Sequence, residues 1–182
     1  MNEPNPVRRL LDGLDFAARA HTGQTRKGAA GEPYVNHVID VVARLARSPR
    51  TDADTLVAAA LHDVVEDTGR TLEEVRSRFG DAVAAMVAEV TDDKSLPKEE
   101  RKRRQVEEAP GKSDGAKRIK LADKASNLAA LADSPPHWLD KARRQAYVAW
   151  ARKEAAGLRG VDPMLEVAFD EEAARAETAL EA

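Results

Sequence analysis

Apolar residues recur at helical spacing in nearly every stretch between the glycines and prolines of this chain, and no run alternates apolar and polar as a half-buried strand would. Side chains three and four apart share one face of a helix, so such a pattern is buried by packing helices together. Composition points the same way. Alanine, the strongest helix former, occurs 34 times, whereas Phe, Trp and Tyr, which favour strands, total seven. The chain is expected to be all-α, and its 182 residues to form a single domain.

Breakers divide the pattern into segments. Residues 7–21 place Leu10, Leu11, Leu14, Ala17 and Ala18 on one face, and Thr22 to Pro33 is a Gly-rich basic loop. A second helix covers 34–47, with Val38, Val41, Val42 and Leu45 inward, and stops at Ser48-Pro49. The third, 52–65, is apolar enough to be central. Thr71-x-x-Glu74 is a capping box opening a helix that ends at Phe79-Gly80. Helices follow over 81–90, 97–109 (with Pro97 in its first turn) and 114–132, with a loop from Pro110 to Gly115. Pro135-Pro136 opens a long helix to 156, and the last spans 164–180.

Several function classes are excluded at this level. With 29 basic and 32 acidic residues the net charge is −3, which gives no bulk attraction to DNA or RNA. There is no cysteine, hence no disulfide, thiol nucleophile or Cys-type zinc site. No apolar run reaches the roughly 18 residues of a membrane span, and Met-Asn-Glu-Pro-Asn-Pro has no secretory signal pattern. The expected setting is the cytoplasm, with no membrane association and no obligate protein partner.

The chemistry is concentrated in Leu61-His62-Asp63-Val64-Val65-Glu66-Asp67-Thr68. His62 and Asp63 end a helix otherwise built of Ala, Leu and Val. Burying such charge costs several kcal/mol or more without a partner, and a divalent cation satisfies both groups. Glu66 follows His62 by four residues and Asp67 follows Asp63 by four, so a second acidic pair lines the same wall. The dipeptide alone also fits a polar helix end. His37 and Asp123, each among apolar neighbours on its own helix, extend the set to two imidazoles and two carboxylates from three helices. Such donors suit manganese, iron or zinc and do not choose among them.

These residues resemble the HD phosphohydrolase superfamily. The surrounding text is more specific: Ala20 to Lys27, Glu32-Pro33-Tyr34-Val35-Asn36-His37, Ala59 to Thr68, Phe79-Gly80, Val90 to Lys94, and Ile119-Lys120-Leu121-Ala122-Asp123-Lys124 resemble the hydrolase domain of RelA/SpoT-type proteins in order and spacing. Leu96 to Arg103 and the short chain are most similar to the stand-alone small alarmone hydrolases, including the metazoan SpoT homologue, with the likeness running over residues 7–160. The resemblance implies a helical HD domain and manganese-dependent removal of the 3′-pyrophosphate of guanosine tetra- or pentaphosphate, giving GDP or GTP and pyrophosphate. It implies no synthetase activity.

Residue by residue, the resemblance places metal ligands at His37, His62, Asp63 and Asp123, with one manganese (zinc or another divalent ion being alternatives). Glu66 and Asp67 match the acidic pair acting on the attacking water, and Arg26, Lys27, Lys98, Asn127, Arg143 and Tyr147 match substrate contacts. Unmatched groups have bland readings. His21 is a helix-end or packing residue, His137 lies on the surface, Arg101 to Arg104 form a solvated face, and Trp150 belongs to the core while Tyr147 faces the cleft. Val38, Ser126 and Ala129 depart from the family pattern, the last two at positions expected to bear on substrate contact. Two other functions stay open on sequence grounds: removal of the 2′-phosphate of NADPH, and a non-catalytic nucleotide-binding regulatory module.

Overall fold

The computed structural model describes residues 5–181; residues 1–4, part of the N-terminal stretch read above for a signal pattern, and residue 182 lie outside the described residues. The helices are α1 (Pro6–Ala20), α2 (Val35–Ala46), α3 (Ala53–Ala60), α4 (Val64–Asp67), α5 (Leu72–Phe79), α6 (Asp81–Val90), α7 (Lys98–Glu108), α8 (Asp114–Asp133), α9 (Lys141–Leu158) and α10 (Pro163–Glu181). Among the described residues the only strand-like pairing is an isolated bridge between Thr25 and Pro33. The fold is therefore all-α, and no helix among the described residues is long and apolar enough to cross a membrane.

Local chemistry sets the helix starts. Asn5, Asp52 and Ser113 each accept a backbone N–H from the first turn of α1, α3 and α8. The Thr71–Glu74 capping box forms in both directions, with Glu74 N to Thr71 Oγ1 at 3.2 Å and Thr71 N to Glu74 Oε2 at 2.8 Å. Gly80 then ends α5 at a φ of 95°, a backbone that L side chains rarely adopt.

The core is organised around α8, which packs against α2, α3, α6, α9 and α10. Ile119, Leu121 and Leu128 are fully buried there, each burial stabilising the fold by about 1.5–3 kcal/mol. The same helix also buries Lys120, Asp123, Lys124 and Ser126. A central helix enclosed on nearly every side must pair its polar residues internally, and α8 does so at the site described below.

Four boundaries or faces differ from the sequence reading. The 52–65 helix ends at Ala60, and α4 begins only at Val64. Between them His62 N bonds Ala59 O and Val64 N bonds Leu61 O, a tighter three-residue spacing. The long helix opens at Lys141 instead of Pro135-Pro136. Proline disfavours helix in the residue before it, and Asp140 supplies a true cap by accepting from Arg143 N at 2.8 Å. The 110–115 loop contains a short 3₁₀ turn, Ala109–Gly111, and Gly115 already lies in α8. Finally, Leu11 is 59% exposed while Gly13 and Phe16 face inward.

Gly157 marks the closest approach of α9 to that 3₁₀ turn. A Cβ there would lie 2.9 Å from both Ala109 Cβ and Pro110 Cδ, neither of which can rotate away. Overpacking of this kind costs about 1–3 kcal/mol, against a helix-propensity gain of at most about 1 kcal/mol. Gly157→Ala is accordingly expected to lower the urea unfolding midpoint with an unchanged m-value; an equal or higher midpoint would show that the turn yields freely.

Candidate active site and metal centre

Three helices bring their polar residues to one point. His37 comes from the first turn of α2, Asp123 from the middle of α8, and His62 and Asp63 from the tightened segment between α3 and α4. His37 Nε2 lies 3.3 Å from Asp123 Oδ1 and 3.7 Å from Asp63 Oδ2. His62 Nε2 lies 2.9 Å from Asp63 Oδ2 and 3.8 Å from Asp123 Oδ1. Donor atoms of His37, His62 and Asp123 all fall within 4.8 Å of one another. The break in the 52–65 helix is what turns His62 and Asp63 to this point. The four-residue relation of Asp63 to Asp67 survives it, since Asp67 N still bonds Asp63 O at 2.8 Å.

Each imidazole is oriented from behind. His62 Nδ1 is 2.8 Å from Ala59 O, so that nitrogen donates to the carbonyl and Nε2 is turned toward the two carboxylates. Buried His62 Nε2 has no hydrogen-bond partner. His37 Nδ1 is 2.9 Å from Ser126 Oγ, which leaves its Nε2 facing the same point. His37, His62 and Asp123 form a buried donor group, with the partly buried Asp63 beside it, and such a set fits a divalent cation in place of protons on the two Nε2 atoms. The charges agree. Burial alone pushes His62 down, but Asp63 and Asp123 outweigh it and raise the ring to about 9. Burial dominates at His37 and holds it below its ordinary value. Asp63 is lowered despite its burial, chiefly by His62; Asp123 is lowered despite its burial, chiefly by Lys124. The pocket is built to hold positive charge.

The acidic pair is linked to this centre through the Tyr34 hydroxyl. Glu66 Oε2 accepts from Asp92 N at 3.0 Å. Burial raises the Glu66 carboxyl above its usual range, and the Asp92 hydrogen bond only partly offsets this. Asp67 pairs with Lys94, which also lies 3.9 Å from Glu66 Oε1. The Tyr34 hydroxyl donates to Asp63 and lies 3.5 Å from Asp67 Oδ2, tying the two carboxylates together.

A cleft of about 980 Å³ adjoins the centre, lined by Tyr34 and Asn127, which bond Asp63 and Asp123. All six expected substrate contacts line it. Arg26 and Lys27 come from the α1–α2 loop, Lys98 from α7, Asn127 from α8, and Arg143 and Tyr147 from α9; Glu66 and Asp67 line its floor. The loop is fixed to the end of α8, where Ala30 N donates to Ser134 Oγ at 3.0 Å. Gly28 is needed at that contact, because a Cβ would lie 2.5 Å from Ser134 O.

Some residues differ from the sequence reading. Trp150 packs against the core and also lines the cleft, with Nε1 donating to Lys102 O at 3.2 Å. In the basic run, Arg103 and Arg104 pair with neighbouring glutamates on the exposed face, but Arg101 and Lys102 turn into the cleft. Ser126 is buried behind His37 instead of facing substrate. His21 is a packing residue, buried and stacked on Tyr34, and His137 is exposed. The reading missed Tyr34, Lys94 and Asp92 as parts of the site. All three sit inside the quoted motifs, so the signal was present, but nothing in their spacing reveals which carboxylate each one meets.

The comparisons with known proteins agree with this geometry. Residues 13–153 match the HD domain family. The chain is 50% identical over 161 residues to the human guanosine-3′,5′-bis(diphosphate) 3′-pyrophosphohydrolase MESH1, covering 88% of this chain and 90% of that protein. The Drosophila melanogaster MESH1 is 47% identical over 167 residues, covering 91% and 93%. A solved structure of a metazoan SpoT ortholog that hydrolyses ppGpp superposes with a TM-score of 0.87 at 45% identity, covering 94% of this chain and 96% of that one. The HD domain implies a divalent metal, and the buried donor set suits one. The chain thus belongs to the HD-domain family and, within it, groups with the MESH1 proteins.

Proposed function

We propose that this chain is a metal-dependent guanosine-3′,5′-bis(diphosphate) 3′-pyrophosphohydrolase, acting on the tetra- and pentaphosphate. The observation that carries the proposal is the convergence of a two-His, two-Asp cluster, an acidic pair tied to it through Tyr34, and an adjoining cleft lined by both cationic and acidic residues. The relatives named for this activity share nearly the whole chain. Residues 1–182 are read as one HD domain, since every helix except the charged α7 contributes to one continuous hydrophobic core.

His37, His62, Asp63 and Asp123 hold the divalent ion, for which manganese is proposed. A divalent ion there supplies Lewis acidity toward a phosphoryl oxygen and lowers the pKa of water. Arg26, Lys27, Lys98 and Arg143 bind the phosphates, with the arginines offering planar forks that suit paired oxygens. Asn127 orients the substrate beside Asp123, to which it donates at 2.7 Å, and Tyr147 forms a wall of the cleft. Glu66 takes a proton from the attacking water while Asp67, held by Lys94, orients it. Water adds to the phosphorus joined to the ribose 3′-oxygen, the bond between them breaks, and the products are GDP or GTP and pyrophosphate.

The test is direct. Manganese-loaded protein incubated with guanosine tetraphosphate is expected to release GDP and pyrophosphate in equal amounts, and to stop on addition of a chelator. Equal or faster turnover of NADPH to NADH and phosphate under the same conditions would overturn the alarmone assignment.

A further inference from the structure

Glu154 has no exposed surface, a rare place for a carboxylate, and the reaction described above does not use it. It projects from α9 against α8, where Lys120 and Lys124 lie one helical turn apart with only 7% and 5% of their side chains exposed. Lys120 Nζ is 3.3 Å from Glu154 Oε1, and Lys124 Nζ is 3.3 Å from Oε2. Neither carboxylate oxygen makes an aligned hydrogen bond, so these are charge contacts. Lys124 reaches further, with Nζ 3.6 Å from Asp123 Oδ2, while Oδ1 of that aspartate faces His37 and His62. The same ammonium sits 4.3 Å from the centroid of the Trp150 ring.

The charges of this cluster cancel. Both buried ammonium groups face Glu154, and Lys124 alone also faces Asp123. Without Glu154, the excess positive charge would stand directly behind a carboxylate that has to hold a cation. At low local dielectric such a charge is felt strongly. Burial pushes the Glu154 carboxyl up, but Lys124 and Lys120 outweigh it and keep the group ionised. A role confined to stability explains a buried pair less well, since apolar replacements of buried ion pairs are often as stable or more so.

We infer that Glu154 is a positioning residue that holds Lys124 against the outer oxygen of Asp123 and cancels the surplus positive charge behind the metal centre. This rests on the metal site proposed above. Partners behind a ligand typically change metal affinity by about 10- to 100-fold when removed.

Manganese titration of metal-free protein, followed calorimetrically alongside thermal unfolding, tests it. Glu154→Gln is expected to weaken manganese binding about 10- to 100-fold while the metal-free protein still unfolds cooperatively. Lys120→Met combined with Glu154→Gln removes one cation as well as the anion, and is expected to restore affinity to within about threefold of wild type. Affinity within twofold of wild type for Glu154→Gln, or no recovery in the double variant, would overturn the inference. If Glu154→Gln does not fold, the double variant decides: near-native affinity supports charge balance, and a tenfold loss in a folded protein refutes it. Wild-type protein that takes up no manganese would overturn the metal site itself, and this inference with it.

Discussion

Asp63→Ala is expected to leave protein that folds but retains no divalent ion and hydrolyses no alarmone. Its Oδ2 lies 2.9 Å from His62 Nε2 and 3.7 Å from His37 Nε2, so it is one of two anions, with Asp123, that both imidazoles share. Without it, Asp123 is the remaining carboxylate at the buried centre, and His62 loses the main source of its raised pKa. Metal content measured after dialysis checks the first part. Thermal unfolding with and without manganese checks the second. A ligand at 100 times its Kd stabilises the native state by about 2.7 kcal/mol, so wild type should show a manganese-dependent rise in Tm that Asp63→Ala lacks. A variant with native metal content would remove Asp63 from the ligand set.

Glu66→Gln is expected to separate binding from chemistry. The amide keeps the size of the carboxylate and can still accept the Asp92 N–H now bonded at 3.0 Å. It cannot take a proton. Burial already raises Glu66 above the usual carboxylate range, which makes it a better base near neutrality. The variant should retain manganese and KM while kcat falls by about 10²–10⁴, the span typical of general acid–base groups. The measurement is single-turnover hydrolysis at saturating substrate. Unchanged turnover would take the role away from Glu66 and leave Asp67, with Lys94 beside it, as the candidate base.

Much of this was legible in the residues. Helix positions followed from spacing, and the Thr71–Glu74 capping box formed as read. Val38, Val41, Val42 and Leu45 on α2, and Ile119, Leu121, Ala122, Ala125 and Leu128 on α8, are buried as their periodicity requires. The faults lie where local rules compete. Pro135-Pro136 can open a helix, but Asp140 caps one better. Leu11 fits an apolar face by type, yet Phe16 and Gly13 took the contact with the core. Trp150 reads as core and does pack against it, but its indole N–H takes the Lys102 carbonyl and holds one side of the ring at the cleft wall.

Other features had no sequence signal. Ser126 reads as a departure among substrate contacts, but 89 residues separate it from His37, whose ring it orients. Lys120 and Lys124 stand inside a quoted motif with no role attached, and Glu154 stands in none. Only packing shows that all three are buried together. Spacing along one helix fixes which side chains share a face, because the 3.6-residue turn is a local property of the backbone. The amino-acid order therefore determined the all-helical class and the stretches of helix. The tertiary structure alone decided which faces meet, where the 52–65 helix breaks to aim His62 and Asp63, and which buried charges neutralise one another, since these depend on the packing of helices far apart in the chain.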